Sequence, residues 1–568
     1  MVRNEYTVLI GGQAGDGIKQ AGNAIARLFN RLGYWIFVYE DYPSLIRGGH
    51  NFAVIRAAPQ RIIAHKDKVD VLIALNQDTI AQHTRRLSPD SLVIFDSSAV
   101  KAQGLAVPMG EMVKSKNLPP IVRNTAALAV LGAVTGADFS IVEDVIRSAT
   151  KRSVEENIAV AKEAYAQAGG EHNHLHVPVL DNPPKPLLNG NEAIALGAVK
   201  GGMRLHVAYP MTPSSPILHY LAAQADRLNI TTIHPESEIA VIGIAQGAAY
   251  AGVRSMVATS GGGFALMVEH FSLAGQAEIP TVVVLGQRPG PSTGLPTYTD
   301  QADLFFALYA GHGEFPRVVV APGDAEQAFE LTAEAMNLAW KFQSPVILLS
   351  DKELGESTFS TVLDENVAAV KEPPLWDGGG EYKRYALTDD GVSPLAFPGD
   401  PRATVKSNSY EHDEMGITTE ESPLVIQARE KRLRKGRAIE AEIRNREAVR
   451  TYGNPESDIV LVTWGSTKGP VVEVAENLGL KVVQPLYLQP LPVWELEKHL
   501  GTTRPPGEPA ARPYEPPRKV IAVEVNSTGR LCTWLRYHGH RVDESILKYD
   551  GRPFAVDELE EKVKGVLQ

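Results

Sequence analysis

What most constrains this chain is an alternation of short apolar runs, rich in β-branched residues, with longer helix-forming stretches. Residues 6–12, 279–285, 345–349 and 459–465 are of the first kind, and residues 238–249 of the second. A strand covered on both faces reads as a continuous apolar run, and bringing the next strand in parallel requires a crossover helix. The pattern therefore predicts an α/β fold of several doubly wound domains with parallel sheets. No repeat of short period is present, which excludes a solenoid.

Breaks in the alternation divide the chain. A Pro-rich passage at 178–186 reads as an interdomain linker. Residues 371–422 are irregular and rich in Gly, Pro and Asp, too long for a plain connection, and are expected to cover an active site or another subunit. The charged run within 427–450 reads as a solvated helix connecting domains. A further α/β unit opens at Ile459, and its Pro-rich insert at 505–517 reads as a surface loop. Three domains are expected, at 1–178, 187–425 and 451–568, within the roughly three or four that this length allows.

A formal charge of −11 without a basic stripe argues against nucleic acid or an anionic membrane surface as partner. No apolar run approaches the roughly 20 residues of a membrane helix. The first strand comes directly after the N-terminus, without a signal-peptide pattern, so a cytoplasmic location is expected. Cys532 is the single cysteine, so the chain forms no internal disulfide and cannot ligate an iron–sulfur cluster through its own cysteines. Beside Leu531 and Trp534 it reads as a small buried hydrophobe.

Gly11-Gly12-Gln13-Ala14-Gly15-Asp16-Gly17 follows one predicted strand and precedes a helix, where backbone N–H groups can receive a phosphate. A dinucleotide fingerprint would also require an acid closing the second strand. Glu40 and Asp41 qualify by position, but no nicotinamide domain surrounds them. Gly15-Asp16-Gly17 could be mistaken for the start of a magnesium-diphosphate motif, yet the Asn-Asn pair that completes such a motif occurs nowhere in the chain.

Four further segments carry the functional reading: Tyr209-Pro210-Met211-Thr212-Pro213-Ser214-Ser215, His234-Pro235-Glu236-Ser237-Glu238, Thr259-Ser260-Gly261-Gly262-Gly263 and Gly286-Gln287-Arg288-Pro289-Gly290-Pro291-Ser292-Thr293-Gly294. Their order and spacing resemble the catalytic α region of the 2-oxoacid:ferredoxin oxidoreductases. The glycine turn at 11–17, with Tyr42-Pro43-Ser44-Leu45-Ile46-Arg47-Gly48-Gly49-His50, resembles the γ domain that two-subunit members fuse in front of it. Glu524-Val525-Asn526-Ser527-Thr528-Gly529 resembles a turn of the family's transketolase C-terminal-like domain. The resemblance thus implies a γ-like domain, a thiamine diphosphate pyrimidine-binding domain and a transketolase C-terminal-like domain.

The resemblance assigns roles residue by residue. Glu238 is the acid expected against the aminopyrimidine N1′, with Glu236 the neighbour that could be confused with it. Acids in a first helical turn also offset the helix dipole, and both readings can hold together. Thr212 and Thr297 are expected to face the substrate, although Thr212 also suits simple turn chemistry. Arg288, just past the 281–285 strand, offers a planar fork for a 2-oxoacid carboxylate. Thr259, Ser260 and Gly261 are expected near the pyrimidine. Arg47, with two glycines after it, could reach a substrate carboxylate or a coenzyme A phosphate. Asp413 is expected to line the substrate cavity. His412-Asp413-Glu414 is too compact for a metal site, so no metal is assigned to this chain.

The activity implied by the resemblance is oxidative decarboxylation of a 2-oxoacid with coenzyme A, 2-oxoglutarate being the expected substrate and pyruvate or a broader range the alternative. Thiamine diphosphate would be shared with a β subunit that brings the diphosphate motif, Mg2+ and a [4Fe-4S] cluster. Ferredoxin would accept the electrons, and a dimer of heterodimers would be the assembly. Two other readings stay open: half of a non-redox thiamine enzyme, and a non-catalytic scaffold that holds phosphate-bearing ligands.

Overall fold

The computed structural model describes residues 5–45, 48–169, 175–367, 369–501 and 517–568. The protein is α/β, with three mixed sheets in two compact units. Neither unit is contiguous in sequence. The first comprises Met1–Leu188, Glu356–Val362 and Ala555–Gln568, and the second Asn189–Gly355 and Leu363–Phe554.

The first unit is built on β1 (Tyr6–Gln13), β2 (Trp35–Asp41), β3 (His50–Ala58), β4 (Val69–Ala74), β5 (Leu87–Asp96), β6 (Leu105–Val107), β7 (Leu187–Asn189) and β14 (Thr358–Ser360). Their order is β6-β5-β4-β1-β3-β2-β14-β7. β1 pairs parallel with β4 but antiparallel with β3, so only part of this sheet is the parallel layer expected. The reason is length: the 42–49 connection between β2 and β3 is shorter than the dozen or so residues that a parallel crossover needs. Helix Ile18–Arg31 buries Ile18, Ala21, Gly22, Ile25, Leu28 and Phe29 at helical spacing. A Cβ at Gly22 would lie 2.9 Å from that of Ala53 on β3, so this helix can approach the sheet only through a glycine. Two later stretches complete the unit. Ser360 Oγ accepts from Ile36 N at 2.9 Å, and Phe359 meets Phe37 edge-on at 5.2 Å. At the start of helix Val556–Leu567, the Asp557 carboxylate accepts the N–H groups of Asp67 and Lys68 at 2.8 and 2.9 Å.

In the second unit, β8 (Leu205–Val207), β9 (Thr231–Ile233), β10 (Ser255–Ser260), β11 (Thr281–Gln287), β12 (Val318–Val320), β13 (Pro345–Asp351) and β18 (Tyr487–Gln489) form a sheet in the order β18-β12-β13-β11-β10-β8-β9. A second sheet runs β15-β17-β16-β19-β20, from β15 (Val449–Gly453), β16 (Ile459–Val462), β17 (Lys481–Pro485), β19 (Lys519–Glu524) and β20 (Glu544–Leu547). β18 leaves the run of the second sheet and adds antiparallel to β12 of the first. The result is one core, in which Val257, Phe264, Leu285 and Ile347 join Val460, Trp464, Val483 and Val520. Buried Cys532 belongs to it.

The charged run is not a solvated connector. Helix Ser422–Ile443 buries Lys431, Arg432 and Lys435. Lys431 and Lys435 both pair with Glu278, Lys431 at 2.6 Å, and Arg432 forks onto Glu411 at 2.9 and 2.7 Å. A partner more than 150 residues away in sequence, Glu278, turned part of what reads as a wet face into an interior one. The irregular segment is likewise tied down: buried Arg384 donates to Gln343 Oε1 and to the carbonyls of Ala277 and Glu278. Among the described residues no helix is long and apolar enough to cross a membrane.

Candidate active site

β11, β10, β8 and β9 are neighbours and mutually parallel, so their C-terminal ends share one edge. The four motifs lie at those four ends: 209–215 follows β8, 234–238 follows β9, and 259–263 and 286–294 run out of the ends of β10 and β11. In open parallel sheets this is the edge where ligands bind, because the crossovers leave a crevice there.

Ser237 caps helix Glu238–Tyr250, accepting from Ala240 N at 3.4 Å, so Glu238 is the first helical residue. Glu238 is 6% exposed, whereas Glu236, outside the helix, is exposed. The Glu238 carboxylate lies against the first turn of helix Gly261–Gln276. A Cβ at Gly263 would fall 2.8 Å from Glu238 Cγ, 3.0 Å from its Oε1 and 2.1 Å from Thr259 Oγ1. Only glycine fits there, so the helix start packs directly against the Thr259 hydroxyl and the buried Glu238 acid.

Arg288 Nη1 donates to the Thr212 carbonyl at 2.8 Å, joining the first and fourth motifs. Burial lowers the guanidinium pKa, and the charge of Asp303 partly offsets that. Thr259 Oγ1 approaches Met211 Sδ at 3.9 Å, joining the third motif to the first. Two hydroxyls of the predicted set, Ser260 Oγ and Thr297 Oγ1, are buried without a hydrogen-bond partner among the described residues, Thr297 at 6% exposure. An unmet buried polar group is costly, and it is most readily explained where a ligand completes it.

The 288–303 loop is held from both sides. Gln287 Oε1 accepts from Asp303 N at 3.1 Å, and Gln301 N donates to the Val525 carbonyl at 2.7 Å. Gln301 Nε2 also reaches the Trp464 carbonyl at 2.9 Å. This loop carries two acids that sequence reasoning missed, Asp300 and Asp303, both pushed up to about 6 by burial. Asp303 stands where a helix cap would stand, ahead of Leu304–Tyr309, but its side chain makes no cap bond. Its Oδ2 instead lies 2.8 Å from the Cβ position of Gly261. The sequence signal, an acid before an apolar helical run, is indistinguishable from an ordinary cap.

Other predicted residues stand apart. Arg47 lies outside the described residues. Asp413 accepts from Met415 N and Ile417 N, both at 2.9 Å, in a tight turn. It lines a cavity of about 240 Å³ with Glu278, Tyr385, His412 and Lys431, and none of Glu238, Thr212, Arg288 or Thr297 lines that cavity. His412 packs on Tyr385 at 3.8 Å, and its Nδ1 lies 2.9 Å from the Tyr410 carbonyl oxygen. Among the described residues no group of three His, Cys, Asp or Glu side chains is placed to hold a metal ion.

The chain is similar to known proteins over its whole length. The family described as "Pyruvate flavodoxin/ferredoxin oxidoreductase, thiamine diP-bdg" matches residues 196–431, which include all four motifs, and "Pyruvate ferredoxin/flavodoxin oxidoreductase" matches residues 7–167. These matches define an oxidoreductase subunit with a thiamine diphosphate-binding region. The 2-oxoacid:ferredoxin oxidoreductase subunit alpha of Sulfolobus sp is 32% identical over 630 residues, spanning 99% of this chain and 96% of that protein. The 2-oxoglutarate oxidoreductase subunit KorA of Mycobacterium tuberculosis is 29% identical, over 98% of this chain and 90% of its own length. A solved 2-oxoglutarate:ferredoxin oxidoreductase from Magnetococcus marinus, with 2-oxoglutarate, coenzyme A and succinyl-CoA bound, superposes over 100% of both chains with a TM-score of 0.89 at 29% identity. The chain belongs to the 2-oxoacid:ferredoxin oxidoreductase family, as an α subunit, which implies partner subunits.

Proposed function

We propose that this chain supplies the pyrimidine side of an active site that converts 2-oxoglutarate and coenzyme A to succinyl-CoA and carbon dioxide, passing the electrons to ferredoxin. The observation that carries this reading is the buried Glu238 carboxylate against Gly263, on the same strand edge that joins Arg288 to Thr212. The buried Glu238 acid and the Ser260 and Thr297 hydroxyls, which have no partner among the described residues, fit thiamine diphosphate with its substrate. When bound, thiamine diphosphate supplies the nucleophilic carbon and the electron sink that decarboxylation of a 2-oxoacid requires.

Glu238 shares a proton with the aminopyrimidine N1′, a task suited to a carboxylate sheltered from water. The Arg288 guanidinium pairs with the 2-oxoacid carboxylate, and its bond to the Thr212 carbonyl fixes its orientation. The Thr212 and Thr297 hydroxyls hydrogen-bond to the substrate, and Thr259, Ser260 and Gly261 line the pyrimidine. Arg47 is proposed to bind a substrate carboxylate or a coenzyme A phosphate, and Asp413 to line the substrate cavity. In this reading 1–178 is the γ-like domain, 187–425 the pyrimidine-binding domain with its cover segment, and 451–568 the transketolase C-terminal-like domain. A β subunit brings the diphosphate motif, Mg2+ and a [4Fe-4S] cluster, because Cys532 is the chain's only cysteine. The assembly is a cytoplasmic dimer of heterodimers.

The choice of 2-oxoglutarate is supported by what the M. marinus and M. tuberculosis relatives are named for. The test is coenzyme A-dependent reduction of a viologen dye by the chain co-purified with its β partner. Turnover with 2-oxoglutarate and not pyruvate is expected, turnover with pyruvate alone would reassign the substrate, and none with either would overturn the reading.

A further inference from the structure

The second sheet of this unit ends in an edge like that of the first. β16, β19 and β20 are neighbours and mutually parallel, so the turns after them, 463–467, 525–529 and 548–551, lie on one side. In an open parallel sheet that side receives ligands. Here it receives a stretch of the chain itself, the C-terminal part of the 288–303 loop. Thr299 N donates to the Gly551 carbonyl at 2.9 Å, and Gln301 N to the Val525 carbonyl at 2.7 Å. The Gln301 side chain, 0% exposed, adds three more bonds. Its Oε1 accepts from Thr467 Oγ1 at 2.8 Å and from Val525 N at 3.0 Å, and its Nε2 donates to the Trp464 carbonyl at 2.9 Å. A Cβ at Gly465, whose φ is +57°, would lie 2.7 Å from that Nε2, so the turn after β16 is shaped around the amide.

Thr297 stands beside this clamp. On its other side residues 290–295 are exposed, and Leu295 N is bonded within the loop, to the Pro289 carbonyl at 3.0 Å. The Thr297 hydroxyl, buried and without a partner among the described residues, is therefore placed by the anchoring at Thr299 and Gln301.

We infer that the second sheet is a clamp on the substrate side of the site, and that Gln301 is the positioning residue through which it holds Thr297. This rests on the role proposed for Thr297. A hydroxyl that hydrogen-bonds to a substrate contributes only when it is held at the right distance, and on a loop it is held by whatever the backbone beside it is bonded to. Gln301 ties that backbone to two strand ends at once, after β16 and after β19. Loss of its amide frees the backbone next to Thr297 while leaving the strands of both sheets paired.

The experiment uses the complex with its β partner and compares two buried glutamines. Gln301→Met keeps the length of the side chain and removes its hydrogen bonds. Gln484→Met makes the same change at another 0%-exposed glutamine of this unit, whose bonds go to Gln327 and Tyr452 and none to the loop. In Gln301→Met, hydrogen exchange at the Thr299 and Gln301 amides is expected to quicken roughly tenfold or more. KM for the 2-oxoacid that supports turnover is expected to rise roughly two- to tenfold, the worth of one hydrogen bond, with kcat moving less. Thr297→Val is expected to raise KM by a similar factor, and the double variant no further, since both changes remove one interaction. Gln484→Met is expected to lower the thermal midpoint with KM and the loop's exchange unchanged. Unaltered exchange or KM in Gln301→Met would overturn the inference, as would an equal rise of KM in Gln484→Met or additive effects in the double variant. Thr467→Val, which takes one donor from Gln301 Oε1, makes the same test on a smaller scale and keeps it decisive where Gln301→Met does not assemble. The two ideas fail differently: an unchanged KM in Thr297→Val removes the role proposed for Thr297, and the positioning role with it, whereas unaltered exchange in Gln301→Met removes the clamp whatever Thr297 does.

Discussion

Two buried clusters of charged and polar side chains in the second unit invite comparison. Around Glu278, every charge is answered: Lys431 reaches both carboxylate oxygens at 2.6 and 2.7 Å, Lys435 adds a third bond, and Arg384 is spent on carbonyls and an amide. At the edge that carries Glu238, the Ser260 and Thr297 hydroxyls have no partner among the described residues. Burial alone does not separate the two. Satisfaction does: a cluster closed upon itself stabilises the fold, while one with open valences is built to be completed by something else.

Substitutions sharpen that contrast. The largest effect is expected from Glu238→Gln: kcat of the assembled enzyme should fall by about 10²- to 10⁴-fold, the usual worth of a positioned acid–base group, with the thermal midpoint unchanged. Retained turnover would remove Glu238 from the chemistry. Glu278→Gln should do the reverse, costing about 3–5 kcal/mol of stability by stranding two buried ammonium groups, read from denaturant titration. A stable variant with lowered kcat would blur the distinction between the two clusters. Arg288→Lys, which keeps the charge but loses the fork, should raise KM about tenfold or more, since hydrogen bonds to charged groups are worth about 1.5–3 kcal/mol. KM for the 2-oxoacid measured by dye reduction checks it.

The smallest effect is on stability against pH. Asp300 and Asp303 hold their protons to about pH 6 in the fold but release them near 3.8 when unfolded. The folded state then binds more protons between those values, so their contribution is complete below about pH 4 and is lost as pH rises through about 6. Thermal melts across pH 4 to 7 should show this slope, reduced in Asp303→Asn. An unaltered slope would show that Asp303 does not titrate there.

Much of the edge was legible because its signals are local. A strand, a turn and a helix start lie within a few residues of each motif, and Ser237 as a cap fixes which of Glu236 and Glu238 enters the helix. The unread parts depend on distance along the chain. Nothing near Lys431 announces Glu278, and nothing near Tyr487 announces that β18 will leave its neighbours for β12. Asp303 was missed for a different reason: its local signal is that of a cap, and only the third dimension shows the side chain turned to Gly261.

The discontinuity of both units has a consequence for how the protein is made. Chains emerge from the ribosome in order, at about 5–20 residues per second, and a unit folds when its parts are present. The sheet that carries Glu238 and Arg288 waits for its edge strand at Tyr487–Gln489, and the first unit waits for Val556–Leu567. The site residues up to Thr297 are thus synthesised long before the frame that holds them is whole, so the nascent chain must keep an unfinished sheet edge from wrong partners for roughly tens of seconds.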